Sequence, residues 1–97
     1  FGSQPSLFLF KVLLMFIVYA LYSSNYNKIY IGYTSNLVER YKSHNELSKK
    51  GWTIKYRPWI IIHQESFENK LEAILREKQL KSASGRNFIR SKIVKEH

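Results

Sequence analysis

The chain has 97 residues, fewer than the ~150 of a typical domain, so one compact unit with one core is expected. It is 44% hydrophobic and 15% aromatic, too apolar for intrinsic disorder, and without cysteine it excludes disulfide frameworks, thiolate zinc sites, iron–sulfur clusters and cysteine nucleophiles. All seven acids are Glu, which removes Ser-His-Asp triads, aspartyl dyads, EF-hand loops and Asp-rich two-metal sites, while sixteen Lys and Arg leave a charge of +9 that favours a polyanion, nucleic acid before anionic membrane. A cysteine-free chain suits a reducing compartment, and a cytoplasmic location is expected.

In chain order, a turn-prone start leads into an apolar run from Leu7 to Tyr22 broken by Lys11. That run falls short of the ~20 residues needed to span a bilayer and lacks a signal-peptide pattern, so no stable membrane association is expected. Residues 1–14 read as an extension outside the functional core and 15–97 as one domain. Phe16 to Tyr22 and Lys28 to Tyr33 are rich in β-branched and aromatic residues and flank a polar Ser-Ser-Asn-Tyr-Asn stretch, which predicts a β-hairpin. Asn36 with Glu39 has capping-box spacing for a helix to about Leu47, on which Arg40 and His44, four apart, share a face. Trp59-Ile60-Ile61-Ile62-His63 predicts a third strand buried on both faces, and His63 is read as structural. Ser66 can cap a helix from Phe67 to about Lys81 with Leu71, Ile74 and Leu75 as its core stripe; Ser84-Gly85 stops it, and Phe88, Ile89 and Ile93 suggest a short final helix. The order ββαβαα predicts an α+β fold with a small three-stranded antiparallel sheet flanked by helices. Residues 76–95 carry seven basic side chains against Glu77 alone, so Lys81, Arg86, Arg90 and Lys92 are the expected DNA contacts, a solvated helix face being the plain alternative.

Ile17-Val18-Tyr19, then Tyr30-Ile31-Gly32, then Arg40 and His44, then Glu77 stand in an order and spacing that resembles the GIY-YIG nuclease family, as do Gly51-Trp52-Thr53 and Arg57-Pro58-Trp59. The resemblance covers residues 16 to about 90 and departs from the family at Ile17, which replaces the leading glycine. It implies metal-assisted hydrolysis of DNA to 5′-phosphate and 3′-hydroxyl ends; a role in repair, recombination or restriction and a monomer or homodimer are expected. Tyr19 would be the general base and would need a nearby cation, since an unperturbed phenol titrates near ~10. Tyr30 would orient water or phosphate, Arg40 would bind the scissile phosphate, and His44 would share that task or relay a proton. Glu77 would hold one Mg²⁺ or Mn²⁺, Gly32 would permit close backbone approach, and Asn87 is the nearest match to a supporting asparagine. Taken singly, Tyr19 and Tyr30 also suit a cross-strand aromatic pair, and Glu77 an intrahelical pair with Lys81. Trp52 and Trp59 are read as packing residues rather than base-stacking platforms. The runner-up function is a non-catalytic basic DNA-binding module with a vestigial nuclease site.

Overall fold

A computed structural model describes residues 15–94, so the extension read at residues 1–14 lies outside them, as do Lys95 and His97. The expected hairpin forms from β1 (Phe16–Ser23) and β2 (Lys28–Thr34), antiparallel, with Tyr19 opposite Gly32 and Leu21 opposite Tyr30. Its tight turn needs one left-handed residue, supplied by Asn27 at φ 52°, a conformation Asn tolerates better than most residues. β3 (Ile60–Phe67) pairs antiparallel with the other side of β1, so the sheet order is β2-β1-β3. The fold is α+β, as its sequence predicts.

The strand buried on both faces is β1, not β3. Val18 and Ala20 enter one core with Ile29, Ile31, Ala73, Leu80 and Ile89, while Tyr19 and Leu21 enter a second with Trp59. Period-two alternation fills both layers from the central strand. β3 lies at an edge, where Ile60 and Ile61 are 51% and 37% exposed. An apolar run identifies a strand, but which strand is central depends on pairing between segments some 40 residues apart, which no local pattern encodes.

After β2, Asn36 caps α1 (Leu37–Lys42), its Oδ1 accepting from the Glu39 N–H at 3.2 Å. The helix then widens into a π turn over Ser43–Leu47 instead of running on as α-helix. A short 3₁₀ helix, Trp52–Tyr56, precedes β3. The next helix, α2 (Lys70–Lys81), starts later than predicted because Ser66 is still paired within the sheet, and Asn69 caps it by accepting from the N–H groups of Leu71 and Glu72. Its core stripe is Ala73 and Leu80; Leu71 and Leu75 are 63% and 53% exposed. Small Ala73 brings the helix close to the sheet and thereby sets the rotation of α2, placing Glu77, one turn beyond Ala73, on the same inward stripe.

Ser82, not Ser84-Gly85, separates α2 from α3 (Ala83–Val94), and its Oγ accepts from the Gly85 N–H as an N-cap. Gly85 lies inside α3, against the end of α2: a Cβ there would meet Gln79 O at 2.1 Å and Leu80 Cα at 2.4 Å. Arg90 of α3 donates to Asn27 Oδ1 at 3.0 Å, tying this helix to the hairpin turn. Among the described residues no helix is long and apolar enough to cross a membrane.

Gly→Ala inside a helix ordinarily stabilises by ~1 kcal/mol through propensity. Here the collision is with backbone, so Gly85→Ala is expected to destabilise by ~2–3 kcal/mol in denaturant titration. A neutral or stabilising result would contradict the close α2–α3 contact.

Candidate functional site

Tyr19, Tyr30, Gly32, Arg40 and Glu77, drawn from β1, β2, α1 and α2, line one cleft of about 400 Å³ together with Phe16 and Lys70. The cleft exists because β2 carries no side chain opposite Tyr19. A Cβ on Gly32 would stand 2.9 Å from Tyr19 Oη and 3.1 Å from Tyr30 Cε1, so glycine is what lets the two tyrosines, with ring centroids 6.2 Å apart, converge.

His44 lies behind Tyr19 and is buried, whereas Arg40 is exposed in front. Both come from one helical segment, but the π turn rotates His44 inward relative to α1 and re-aims it, a use to which such insertions are often put. The Tyr19 hydroxyl is 2.9 Å from His44 Nε2, and His44 Nδ1 is 3.1 Å from Thr53 Oγ1. Either tautomer satisfies these distances. Only the one that donates Nδ1–H to Thr53 leaves Nε2 with a lone pair for the Tyr19 O–H.

The support behind this chain comes from Arg57 and Trp59. Arg57 donates to the carbonyls of His44 (2.6 Å), Ser48 (2.7 Å) and Ser43 (3.1 Å), the last of which also accepts from the Ser48 N–H, and so ties down the end of the helix. Trp59, 1% exposed, donates Nε1–H to Thr53 O at 2.8 Å, and its own N–H and C=O are clasped by the Asn45 amide at 2.7 and 2.9 Å. Trp59 is therefore a packing residue, as expected, and it fixes the residue that fixes His44.

The electrostatics differ from the expectation for Tyr19. Its burial and the neighbouring Tyr30 raise the phenol further above its ordinary value than Arg40 lowers it, and Glu77 adds to the rise. No phenolate is held in the resting protein. His44 is pushed the other way, below its ordinary 6.5, by burial first and then by Arg40 and Arg57. A neutral imidazole next to a protonated phenol is an acceptor aimed at a donor.

Among the described residues Glu77 is the single carboxylate on the cleft, with Lys81 Nζ 3.6 Å from its Oε2, so the intrahelical pair coexists with the cleft position. Among the described residues no three His or carboxylate groups cluster. One carboxylate facing hydroxyls in an open cleft fits a hard cation that keeps much of its water, not one enclosed by protein. Lys70 was not anticipated; it sits seven residues before Glu77, hence on the same helix face, and a cation in the first turn of a helix opposes the dipole, which is the signal that marks it. Thr53 and Arg57 lie in two of the segments that carry the resemblance, but their roles were not legible, since their partners are backbone carbonyls or distant side chains.

Asn87 is exposed on α3 and does not line the cleft, because α3 turns its buried face, Ile89, toward the sheet and α2. Of the basic run, Arg86 is exposed, Lys81 faces Glu77, Lys92 lies 4.9 Å over the Phe88 ring and Arg90 is bonded to Asn27. Arg76 is consumed by Glu65, at 2.9 and 3.0 Å, and Glu65 also holds His63 at 2.6 Å, the structural role expected of that histidine.

The model of the GIY-YIG catalytic domain matches residues 15–90. Similar proteins include a UPF0213 protein of Bacillus velezensis, 41% identical over 71 residues that cover 70% of this chain and 72% of the relative. Another is a UPF0213 protein of Staphylococcus haemolyticus, 38% identical over 58 residues that cover 60% and 71% of the two chains.

In an NMR titration His44 should lose its proton below pH 6.5, and Arg40→Gln should move that midpoint upward. The unfolded chain binds this proton at higher pH than the folded one, so acidification through the window weakens folding. A His44 midpoint at or above 6.5 in the folded protein would refute the burial and charge assignment.

Proposed function

The chain belongs to the GIY-YIG family, a nuclease-type catalytic domain, and from that premise we propose that it is a DNA endonuclease hydrolysing phosphodiesters to 5′-phosphate and 3′-hydroxyl ends. The observation that carries this reading is the hydrogen-bonded chain Tyr19–His44–Thr53 opening onto a cleft that also holds Arg40, Lys70 and Glu77. A binding-only module gains nothing from a carboxylate, Glu77, set in the cleft beside the phosphate-binding cations.

The residues divide the chemistry as follows. Arg40 and Lys70 bind the anionic phosphodiester, the guanidinium fork pairing with two phosphate oxygens and neutralising charge that grows on them during attack. Tyr30 donates its hydroxyl to hold the attacking water or a phosphate oxygen. Tyr19 takes the water's proton and passes its own along the 2.9 Å hydrogen bond to His44 Nε2, so no free phenolate forms at any stage. Thr53 accepts from Nδ1–H and stabilises the imidazolium that results. The relay replaces the lowered tyrosine pKa that Tyr19 alone would require. Glu77 would hold a single Mg²⁺ or Mn²⁺, which when bound supplies charge neutralisation at the phosphate and the departing alkoxide. The +9 charge adds sequence-independent attraction for DNA.

Four variants test the reading under single-turnover conditions on plasmid DNA with Mg²⁺ and with EDTA. Glu77→Gln should abolish cleavage while keeping DNA affinity; undiminished Mg²⁺-dependent nicking would remove Glu77 from the site. Tyr19→Phe should cost about 10²–10⁴ in rate, the usual share of general-base catalysis. Thr53→Val should cost about tenfold and Thr53→Ser much less, because only Val leaves the buried Nδ1–H without an acceptor. Wild-type rate should rise with pH through a midpoint below 6.5, where His44 becomes neutral, and then level off; a rise extending toward pH 10 would instead make Tyr19 the titrating base.

A further inference from the structure

Four aromatic side chains form a row leading from the outside of the molecule into the cleft. Tyr26, in the β1–β2 turn and 51% exposed, meets Tyr56 edge-on at 5.4 Å. Tyr56 meets Trp52 at 4.7 Å, and Trp52, 47% exposed, is stacked with Tyr30 of the cleft at 6.5 Å and an interplanar angle of 29°. Lys28 Nζ lies 5.5 Å over the Tyr56 ring. Trp52 is delivered here by Gly51, whose φ of 112° is open to glycine and rarely to other residues. Residues 49–57 contain Lys49, Lys50, Lys55 and Arg57 and no acid, so the exposed rings sit in a positive field.

Exposed rings and cations side by side suit a polyanion with accessible π faces. In a duplex those faces are covered by neighbouring base pairs; in a single strand they are free. We propose that Tyr26 and Trp52, bridged by the half-buried Tyr56, stack unpaired DNA bases beside the phosphate held by Arg40 and Lys70, so that the favoured substrate has a single-stranded stretch at the cleavage point. This rests on the nuclease reading above and adds the structure of the DNA. The two tryptophans of the chain differ in exposure although their ring centroids lie 5.9 Å apart: Trp59 is buried and packs, and Trp52 rests on it with its outer side offered to the substrate.

That division supplies the test, performed on the full chain in EDTA so that cleavage does not intervene. Titration with an oligothymidine should quench the intrinsic tryptophan fluorescence, and Trp52→Phe, which leaves only buried Trp59, should abolish the quenching. Anisotropy of labelled oligonucleotides should show single-strand binding weakened roughly 5- to 150-fold by Trp52→Ala, with blunt duplex binding within twofold of wild type. Oligothymidine that binds without quenching, or a Trp52→Ala loss equal on both DNAs, overturns the stacking row while leaving the nuclease reading intact. Failure of the wild type to bind either DNA overturns both. Quenching by an acidic peptide and not by oligothymidine assigns the row to a protein partner and overturns the proposal. Should Trp52→Ala fail to fold, the quenching comparison between wild type and Trp52→Phe decides alone.

Discussion

The arrangement hangs on one buried polar group, the Tyr19 hydroxyl. A phenol taken out of water and left without a partner costs on the order of 1–3 kcal/mol, so the central strand can bury Tyr19 to 1% exposure only if something accepts its proton. His44 does so, from a residue 25 positions away. That demand shapes what surrounds it. Gly32 opposite must lack a side chain, the helix after β2 must widen into a π turn to bring the imidazole inward, and Thr53 must occupy the far ring nitrogen.

The same contacts that satisfy the phenol set its chemistry. Burial opposes ionisation of Tyr19 and protonation of His44 together, which keeps both neutral and the shared proton on the phenol. Arg40 and Arg57 add to the effect on His44 from opposite sides, one exposed at the cleft and the other committed to three backbone carbonyls. A hydrogen-bonded tyrosine–histidine pair of this kind involves no carboxylate, in keeping with a chain that has no Asp and sets one Glu among the described residues on the cleft.

Charge is likewise divided by the fold into portions with different uses. The basic C-terminal segment is less available than its composition suggests, because Arg76 is neutralised by Glu65 and Arg90 anchors the hairpin turn. Cations that the sequence presents as a single run thus serve helix docking as well as surface potential. The cleft draws instead on Arg40 and Lys70, which are 30 positions apart in the chain and carry no shared motif.

Much of the plan was local and therefore legible: the hairpin from two β-rich segments around a polar turn, the Asn36 cap, and the two tyrosines, arginine, histidine and glutamate whose order carried the family. Period and capping chemistry act over a few residues, and a sequence displays them directly. What it did not display was decided by contacts between distant segments. β1 rather than the Ile-rich strand became central because β3 pairs on its far side; α2 turned Ala73 and Leu80 inward, not Leu71 and Leu75, because the sheet admits a small residue there. Asn87 fell outside the cleft because α3 docks through Ile89, and Lys70 and Thr53 joined the site because the helix start and the 3₁₀ turn happened to face it. The sequence by itself determined which residues are candidates for the chemistry; only the tertiary structure decided which of them share a cleft and what each titrating group is bonded to, since burial and partner are properties of the packed molecule.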